Sequence, residues 1–386
     1  MFVYTVVFLV ILFGVFHFDY RNEKFGKNVY AFVVFVLMTL MVGLRYRVGG
    51  DALFYEDYYV HMPDLYDYFP FIERDVSFNY QPLYLLFIAI CKSINPEYAF
   101  YQLIHAIVVN IIVMRFIYKN STKFFTSVFL LYGLCIYFYF TYDIQREILA
   151  ICCFLLGFRY FQNNKWVPYY VFAVLGFLFH ISASILFVLP FFKFVKLKKS
   201  NIYIIVIVSF ALSFAKSYFY DFISIFFVTE SMAEKGKTYS EMDFSIAGMI
   251  FFFVGRVFFL LPIVFYYTKH KDEKMETIIT AFFILSCLSQ VMVGFDRMLN
   301  YVTIPFIICF SHFIYSPNVF RFKLSKKFVI FSTYICLFYY ICIKIVMDFN
   351  VTDRARYQAV FFPYSSVFDK ETYPEREQFM IELWKR

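Results

Sequence analysis

The sequence lacks most of the signatures by which a soluble enzyme shows itself. It contains no phosphate-cradling nucleotide loop, no G-x-G-x-x-G fingerprint, no H-E-x-x-H pair and no G-x-S-x-G elbow. Bound ATP, a dinucleotide, a metalloprotease zinc and an α/β-hydrolase serine are therefore not what the chain is built around. Eight cysteines are present, each inside an apolar run, without a C-x-x-C pair or a Cys/His cluster at metal-ligand spacing. They read as small packing residues. Strand-type alternation is absent, which argues against a barrel, and no internal repeat or low-complexity stretch is visible. The N-terminal apolar run, 2–18, has no basic n-region and no small-residue cleavage site, so it reads as a retained helix rather than a signal peptide.

What the chain has is apolar surface. Of 386 residues, 62% are hydrophobic, and the mean hydropathy is +0.65. Phe (59) and Tyr (35) are abundant enough that most must face lipid or neighbouring helices, leaving a minority to stack on sugar rings or isoprenoid chains. Apolar segments fall at 2–18, 29–44, 82–94, 98–118, 124–140, 147–162, 168–180, 181–194, 201–227, 244–267, 275–295, 298–315 and 328–347. The expected fold is an all-α polytopic membrane domain over 1–347, with about ten to thirteen transmembrane or re-entrant helices, an outer loop at 45–80 and an extracytoplasmic tail at 348–386.

The net charge of +8 does not indicate nucleic acid, because the basic residues sit in short loops between apolar runs. Placing the loops around Arg21, Lys119, Arg159, Lys196, Lys271 and Arg321 inside leaves six regions outside: loop 45–80, the turn at Asp143, His180, segment 228–243, the turn at Asp296–Arg297, and the tail. The run 82–94 would span about 20 Å as a helix, too short to cross a core of about 30 Å, so it reads as a partial or re-entrant segment. The runs 168–180 and 181–194 have basic flanks on both sides. They read as an in-and-back hairpin with His180 at its tip, where non-helical backbone requires cover from protein or a watery cavity.

Polar groups at the lip of membrane segments are costly and usually face an interior. The stretch GLRYRVGGDALFYEDYY, 43–59, joins Arg45 and Arg47 to Gly49-Gly50, Asp51 and four tyrosines where a helix leaves the apolar layer. Gly-Gly permits a sharp bend and close approach to a ligand, and arginine presents a planar fork suited to pyrophosphate. Interfacial anchoring accounts for single arginines and tyrosines here, but it does not call for the Gly-Gly-Asp bend. Arg146, His180 with Ser182, and Arg297 with Tyr301 map to the same side. Several guanidinium groups around one imidazole suit a diphosphate leaving group and a proton acceptor. Simpler readings pair Arg146 with Asp143 or Glu147, pair Arg297 with Asp296, and make His180 a packing residue. Arg256 lies mid-segment and needs an internal partner. His105 reads as structural.

These stretches resemble the EpsG family of exopolysaccharide proteins. GLRYRVGGDALFY is similar to the family's first block, YDIQREILA to its second, FLFHISASILFVLPFF to its Phe-His-x-Ser-Ala block and FDRMLNYVTIP to its Arg-x-x-x-Tyr block, in the family's order, with PYSSVF like its Pro-Tyr ending. Two positions depart. Gln81 stands where the family often has the Glu of a Glu-Pro pair, and Glu147 where it usually has Gln. The resemblance implies a Wzy-like polymerase, related to O-antigen ligases and GT-C glycosyltransferases, in the bacterial cytoplasmic membrane. Such an enzyme joins repeat units carried on undecaprenyl pyrophosphate, for exopolysaccharide, capsule or O-antigen, at the outer face. It implies no metal and no cofactor. Its partners would be the lipid-linked donor and acceptor glycans and membrane lipid, with a flippase and a chain-length regulator as functional neighbours. Arg146 and Arg297 are expected at the leaving pyrophosphate and His180 as base. Arg45, Arg47, Asp51, Tyr55, Gln81, Ser182 and Tyr301 are expected as substrate contacts. The rival readings are a flippase for lipid-linked saccharide and a membrane O-acyltransferase.

Overall fold

The computed structural model describes residues 2–74, 81–214, 250, 253, 256–257, 260–269, 273–289, 295–316 and 360–384. The expected helix 328–347, segment 228–243, the basic cluster at Arg321, the second half of 201–227 and the tail up to residue 359 lie outside them. Helices account for nearly all the regular structure, and among the described residues the one β-bridge is isolated, Arg45 to Ser366. The protein is an all-α polytopic membrane protein.

The helices run α1 (Phe2–Gly14, extended by a wide turn Val15–Tyr20), α2 (Lys27–Gly43), α3 (Ala52–His61), α4 (Tyr68–Arg74), α5 (Pro82–Ile94), α6 (Tyr98–Asn120), α7 (Phe124–Gly133) and α8 (Ile136–Phe138, continued by Tyr139–Asp143). Then come α9 (Gln145–Gln162), α10 (Trp166–Phe179), a tight turn Ile181–Ser184, α11 (Ile185–Val188) with Leu189–Phe194, and α12 (Lys199–Ser213). The described remainder is α13 (Leu261–Lys269), α14 (Glu273–Leu288), α15 (Phe295–Tyr315) and α16 (Pro374–Trp384). Three continuous helices are long and apolar enough to cross a bilayer: Phe2–Tyr20, Tyr98–Asn120 and Phe295–Tyr315.

The run 124–140, expected as one segment, is broken. α7 and the 136–143 piece meet at 77°. Cys135 holds a left-handed φ of 59°, which a continuing helix cannot absorb. The expected hairpin is present. The Tyr169 hydroxyl donates to Leu186 O at 2.7 Å, and Lys193 Nζ reaches Asn164 Oδ1 at 2.6 Å, so the return limb runs back along α10 and His180 sits at the turn. Both ends of α5 are tied to the same outer stretch. The Tyr68 hydroxyl donates to Pro82 O, while Lys92 Nζ donates to Val60 O at 2.8 Å, consistent with a segment that stays with the loop.

The core is built around α6 and α9. α9 packs along α10, α2 along α6, and α14 along α15. Close approach needs a missing side chain at Gly157, where an added Cβ would lie 2.8 Å from Phe172 Cβ on α10. Several buried tyrosines satisfy their hydroxyls on helix carbonyls or amides, as with Tyr132 on Tyr4 O and Tyr137 on Asn110 Oδ1, both at 2.9 Å.

The packing sorts the polar residues into two ends. At one end Lys123 holds Asn22, and Thr122 N donates to His312 Nε2 at 3.2 Å, which gathers the expected basic-loop side. At the other end meet the 44–56 segment, Asp143–Glu147, His180–Ser182, Arg297–Tyr301 and the tail from 360 onward.

Candidate functional site

The first loop is shaped by its own backbone. Gly49 holds φ +120°, where a Cβ would stand 2.9 Å from Tyr142 Cβ, so this bend requires glycine. Gly50 N–H then donates to Asp143 Oδ1 at 2.7 Å, which ties the loop to the entry of α9. Tyr55, one turn into α3, donates to the Asp143 carbonyl at 3.2 Å and accepts a hydrogen bond from Arg146.

Two arginines expected at the phosphate are otherwise engaged. Arg45 is 2% exposed. Its guanidinium donates to Val48 O at 3.1 Å, Val42 O at 2.5 Å and Thr141 O at 3.4 Å, and it lies 4.5 Å from the centre of the Tyr142 ring. A buried cation with its donors on carbonyls holds the fold together and has little left for a ligand. Arg47 pairs with Glu56 at 2.8 Å and Glu377 at 2.9 Å, which offsets the charge it would offer an anion. On that geometry Arg45 braces the loop and Arg47 ties it to the tail. The sequence shows two arginines at a helix exit, but it does not show which carbonyls or carboxylates fold in beside them.

The remaining predicted residues converge. Arg146, on the first turn of α9, lies over the Tyr84 ring at 5.9 Å and close to Tyr55 and Tyr58. Arg297, on the first turn of α15, donates to Glu147 Oε2 at 3.0 Å, and Asn300 holds Oε1 of the same carboxylate at 2.9 Å. Glu147 is 1% exposed, whereas the Arg297 side chain remains 44% exposed. For Arg297 the simpler pairing is thereby replaced. Arg297 uses Glu147 rather than Asp296, and Asp296 is the internal partner that Arg256 needed. Asp143 receives the loop amide of Gly50.

One turn beyond Arg297, the Tyr301 hydroxyl lies 2.9 Å from Ser182 Oγ, and Ser182 Oγ lies 2.6 Å from His180 Nδ1. α15 therefore carries both the Arg297–Glu147 pair and the Tyr301–Ser182–His180 chain. Asp51, partly buried at the entry to α3, feels both Arg297 and Arg146. Burial raises its carboxyl to about 6, the two arginines pulling the other way. Gln81 stands just before Pro82, with Oε1 buried and without a partner. His105 is structural, Nε2 donating to Gln145 O at 2.9 Å.

Set against known protein families, residues 28–366 match the model of the EpsG family. The chain belongs to the EpsG family. Comparison with curated proteins and with solved structures returns no significant match. Family membership points to exopolysaccharide-related, polymerase-type chemistry at a multi-pass membrane protein. In this EpsG member the sequence reading passed over Glu147 and Asn300 as the holders of Arg297. The available signal was helical spacing, since Arg297, Asn300 and Tyr301 occupy neighbouring positions one turn apart on α15.

Proposed function

We propose that this EpsG-family protein is a polysaccharide polymerase of the bacterial cytoplasmic membrane. It joins oligosaccharide repeat units carried on undecaprenyl pyrophosphate, at a site facing outward. The growing glycan sits on one lipid pyrophosphate, and a sugar hydroxyl of an incoming lipid-linked unit attacks its anomeric carbon. Arg146 and Arg297 stabilise the departing pyrophosphate. Asp51 and His180 are the two groups at hand for the proton of the attacking hydroxyl. Tyr55, Tyr301, Ser182 and Gln81 shape the surroundings.

The observation that carries this reading is the meeting of four distant segments at one end of the bundle. Asp51 feels both Arg146 and Arg297, and His180 is linked through Ser182 to the helix that bears Arg297. Two cations at one side of a partly buried carboxylate and an imidazole suit displacement of a diphosphate.

The test is a deletion strain together with the purified protein. Loss of polymer, with single repeat units still displayed outside the cell, is the expected phenotype. Repeat units trapped inside would identify a flippase instead. Detergent-solubilised protein given lipid-linked repeat units should lengthen them, and Arg146→Met and Arg297→Met should lower that rate at unchanged protein level.

A further inference from the structure

The hydrogen bonds around His180 determine which ring nitrogen holds its proton. The backbone N–H of Ser182 donates to Nδ1 at 3.2 Å. A backbone amide can only donate, so Nδ1 is an acceptor and the neutral ring carries its proton on Nε2. Ser182 Oγ, 2.6 Å from the same nitrogen, must then donate to it as well, which leaves the Ser182 oxygen to accept from Tyr301 at 2.9 Å. The chain runs one way, from Tyr301 through Ser182 to His180, and Nε2 carries the ring's N–H. A ring in that state offers a hydrogen bond to an anion. It does not take a proton from a hydroxyl at Nε2.

The proton must therefore go elsewhere. Of the described carboxylates at this end, Asp143 receives Gly50 N–H, and Glu147 holds Arg297 and Asn300. Glu56 and Glu377 hold Arg47, and Asp296 holds Arg256. Asp51 stands apart. It does not cap its own helix, and among the described residues its carboxylate takes part in no hydrogen bond or ion pair. It stays within electrostatic reach of Arg146 and Arg297, the two cations assigned to the leaving group.

We infer that Asp51 is the proton acceptor of the glycosyl transfer, and that His180 acts from Nε2 as a hydrogen-bond donor to the departing diphosphate. This rests on the polymerase reading above. The acceptor oxygen forms a bond to the anomeric carbon as the bond from that carbon to the pyrophosphate oxygen breaks. The breaking pair leaves on undecaprenyl diphosphate, and the hydroxyl proton moves to the Asp51 carboxylate. His180 keeps its proton throughout. The loop amide on Asp143 and the Gly49 bend set where Asp51 stands. An acceptor with a carboxyl value near 6 is ionised at neutral pH yet basic enough to help.

The groups that face Asp51 are Arg297 from α15, Arg146 from α9, Tyr98 from α6 and Tyr55 on its own helix. None of these side-chain types ordinarily changes charge between about pH 5 and 8. An acidic limb that survives in both His180→Gln and Glu147→Gln should therefore belong to Asp51.

The experiment uses the full-length protein with lipid-diphosphate-linked oligosaccharides extracted from a strain deleted for this chain. Undecaprenyl diphosphate alone serves as the binding probe, read by protection against heat. Asp51→Asn should lower turnover by about 100-fold or more while binding undecaprenyl diphosphate at least as tightly, since a negative charge has been removed. Asp51→Glu should keep part of the activity. His180→Gln, whose amide N–H falls near the place of Nε2, should outperform His180→Asn, whose amide falls near Nδ1. The wild-type rate should climb through about pH 6, and His180→Gln should keep that limb. Wild-type turnover in Asp51→Asn, loss of probe binding in Asp51→Asn, or disappearance of the limb in His180→Gln would each overturn the assignment. A wild-type protein that lengthens nothing would overturn the polymerase reading as well. Polymer from wild type and Asp51→Asn alike would overturn this inference alone.

Discussion

Replacing Arg45 by methionine tests whether this arginine holds the fold or the substrate. Methionine keeps the length of the side chain and removes its donors. Three carbonyls, those of Val42, Val48 and Thr141, would lose their partner inside a site that is 2% exposed. Hydrogen bonds to a charged donor contribute about 1.5–3 kcal/mol each. The 3.4 Å contact to Thr141 adds little, so the two shorter bonds dominate. Adding the guanidinium stacked on Tyr142, the loss is on the order of 4–6 kcal/mol. That corresponds to a drop in melting temperature on the order of 10 °C. The assay is the fraction of detergent-solubilised protein that survives graded heating and still elutes as a monodisperse peak. Arg45→Met should melt far below wild type or fail to accumulate, with Arg45→Lys between the two. Arg146→Met, on a residue assigned to the leaving group, should melt within a few degrees of wild type. A wild-type melting profile for Arg45→Met, accompanied by loss of polymer, would refute the structural assignment and return Arg45 to the phosphate.

Other perturbations follow from the same geometry. Glu147→Gln should shift stability by no more than about 1–2 kcal/mol, because its partner Arg297 is already 44% exposed and can hydrate. Turnover should nevertheless fall at least 10-fold as Arg297 loses its hold, measured as polymer per folded protein. Gly49→Ala should destabilise by about 1–3 kcal/mol from backbone strain at φ +120°, read as a lowered melting temperature. Arg47→Ala removes two partly exposed ion pairs worth about 1 kcal/mol or less each, so stability should barely change, while limited proteolysis within 360–384 should speed up. Between pH 3.8 and about 6 the folded chain holds the Asp51 proton that the unfolded chain has released, so stability should decline as pH rises through that window. Asp51→Asn should abolish the decline, worth at most about 3 kcal/mol, in melting curves taken across the window.

Much of the helical layout could be read from the chain, because apolar run length and flanking charge are local properties. Pro82 opens α5 at its first turn, and the basic flanks of 168–194 forced a return at His180. Arg146, His180 and Arg297 were also legible, since polar groups at the lip of an apolar run have few places to go. The roles of Arg45 and Arg47 were not. Both stand at the same helix exit as Asp51, and what separates them is a carbonyl from Thr141 and a carboxylate from Glu377, partners 96 and 330 positions away. The bend within 124–140 was hidden for a different reason. Its residues are almost all apolar, and a single left-handed Cys135 leaves no trace in hydropathy. Adjacency in sequence suggests Glu147 as a partner of Arg146, whereas its carboxylate is turned toward α15.

The tail has a consequence for how the protein is made. Val367 N–H donates to Leu44 O, Tyr46 N–H to Ser365 O and Gly49 N–H to Val360 O, each at 2.8–2.9 Å, and Arg376 donates to Arg47 O. Chains emerge from the ribosome N-terminus first, so the loop bearing Asp51 waits through the synthesis of every later helix before these bonds can close. A nascent or prematurely stopped product would hold Arg146, Arg297 and the Gly50–Asp143 tie, and yet lack the bonds that the tail adds to that loop. The loop would then gain these four bonds only after 360–376 has been made and has folded back.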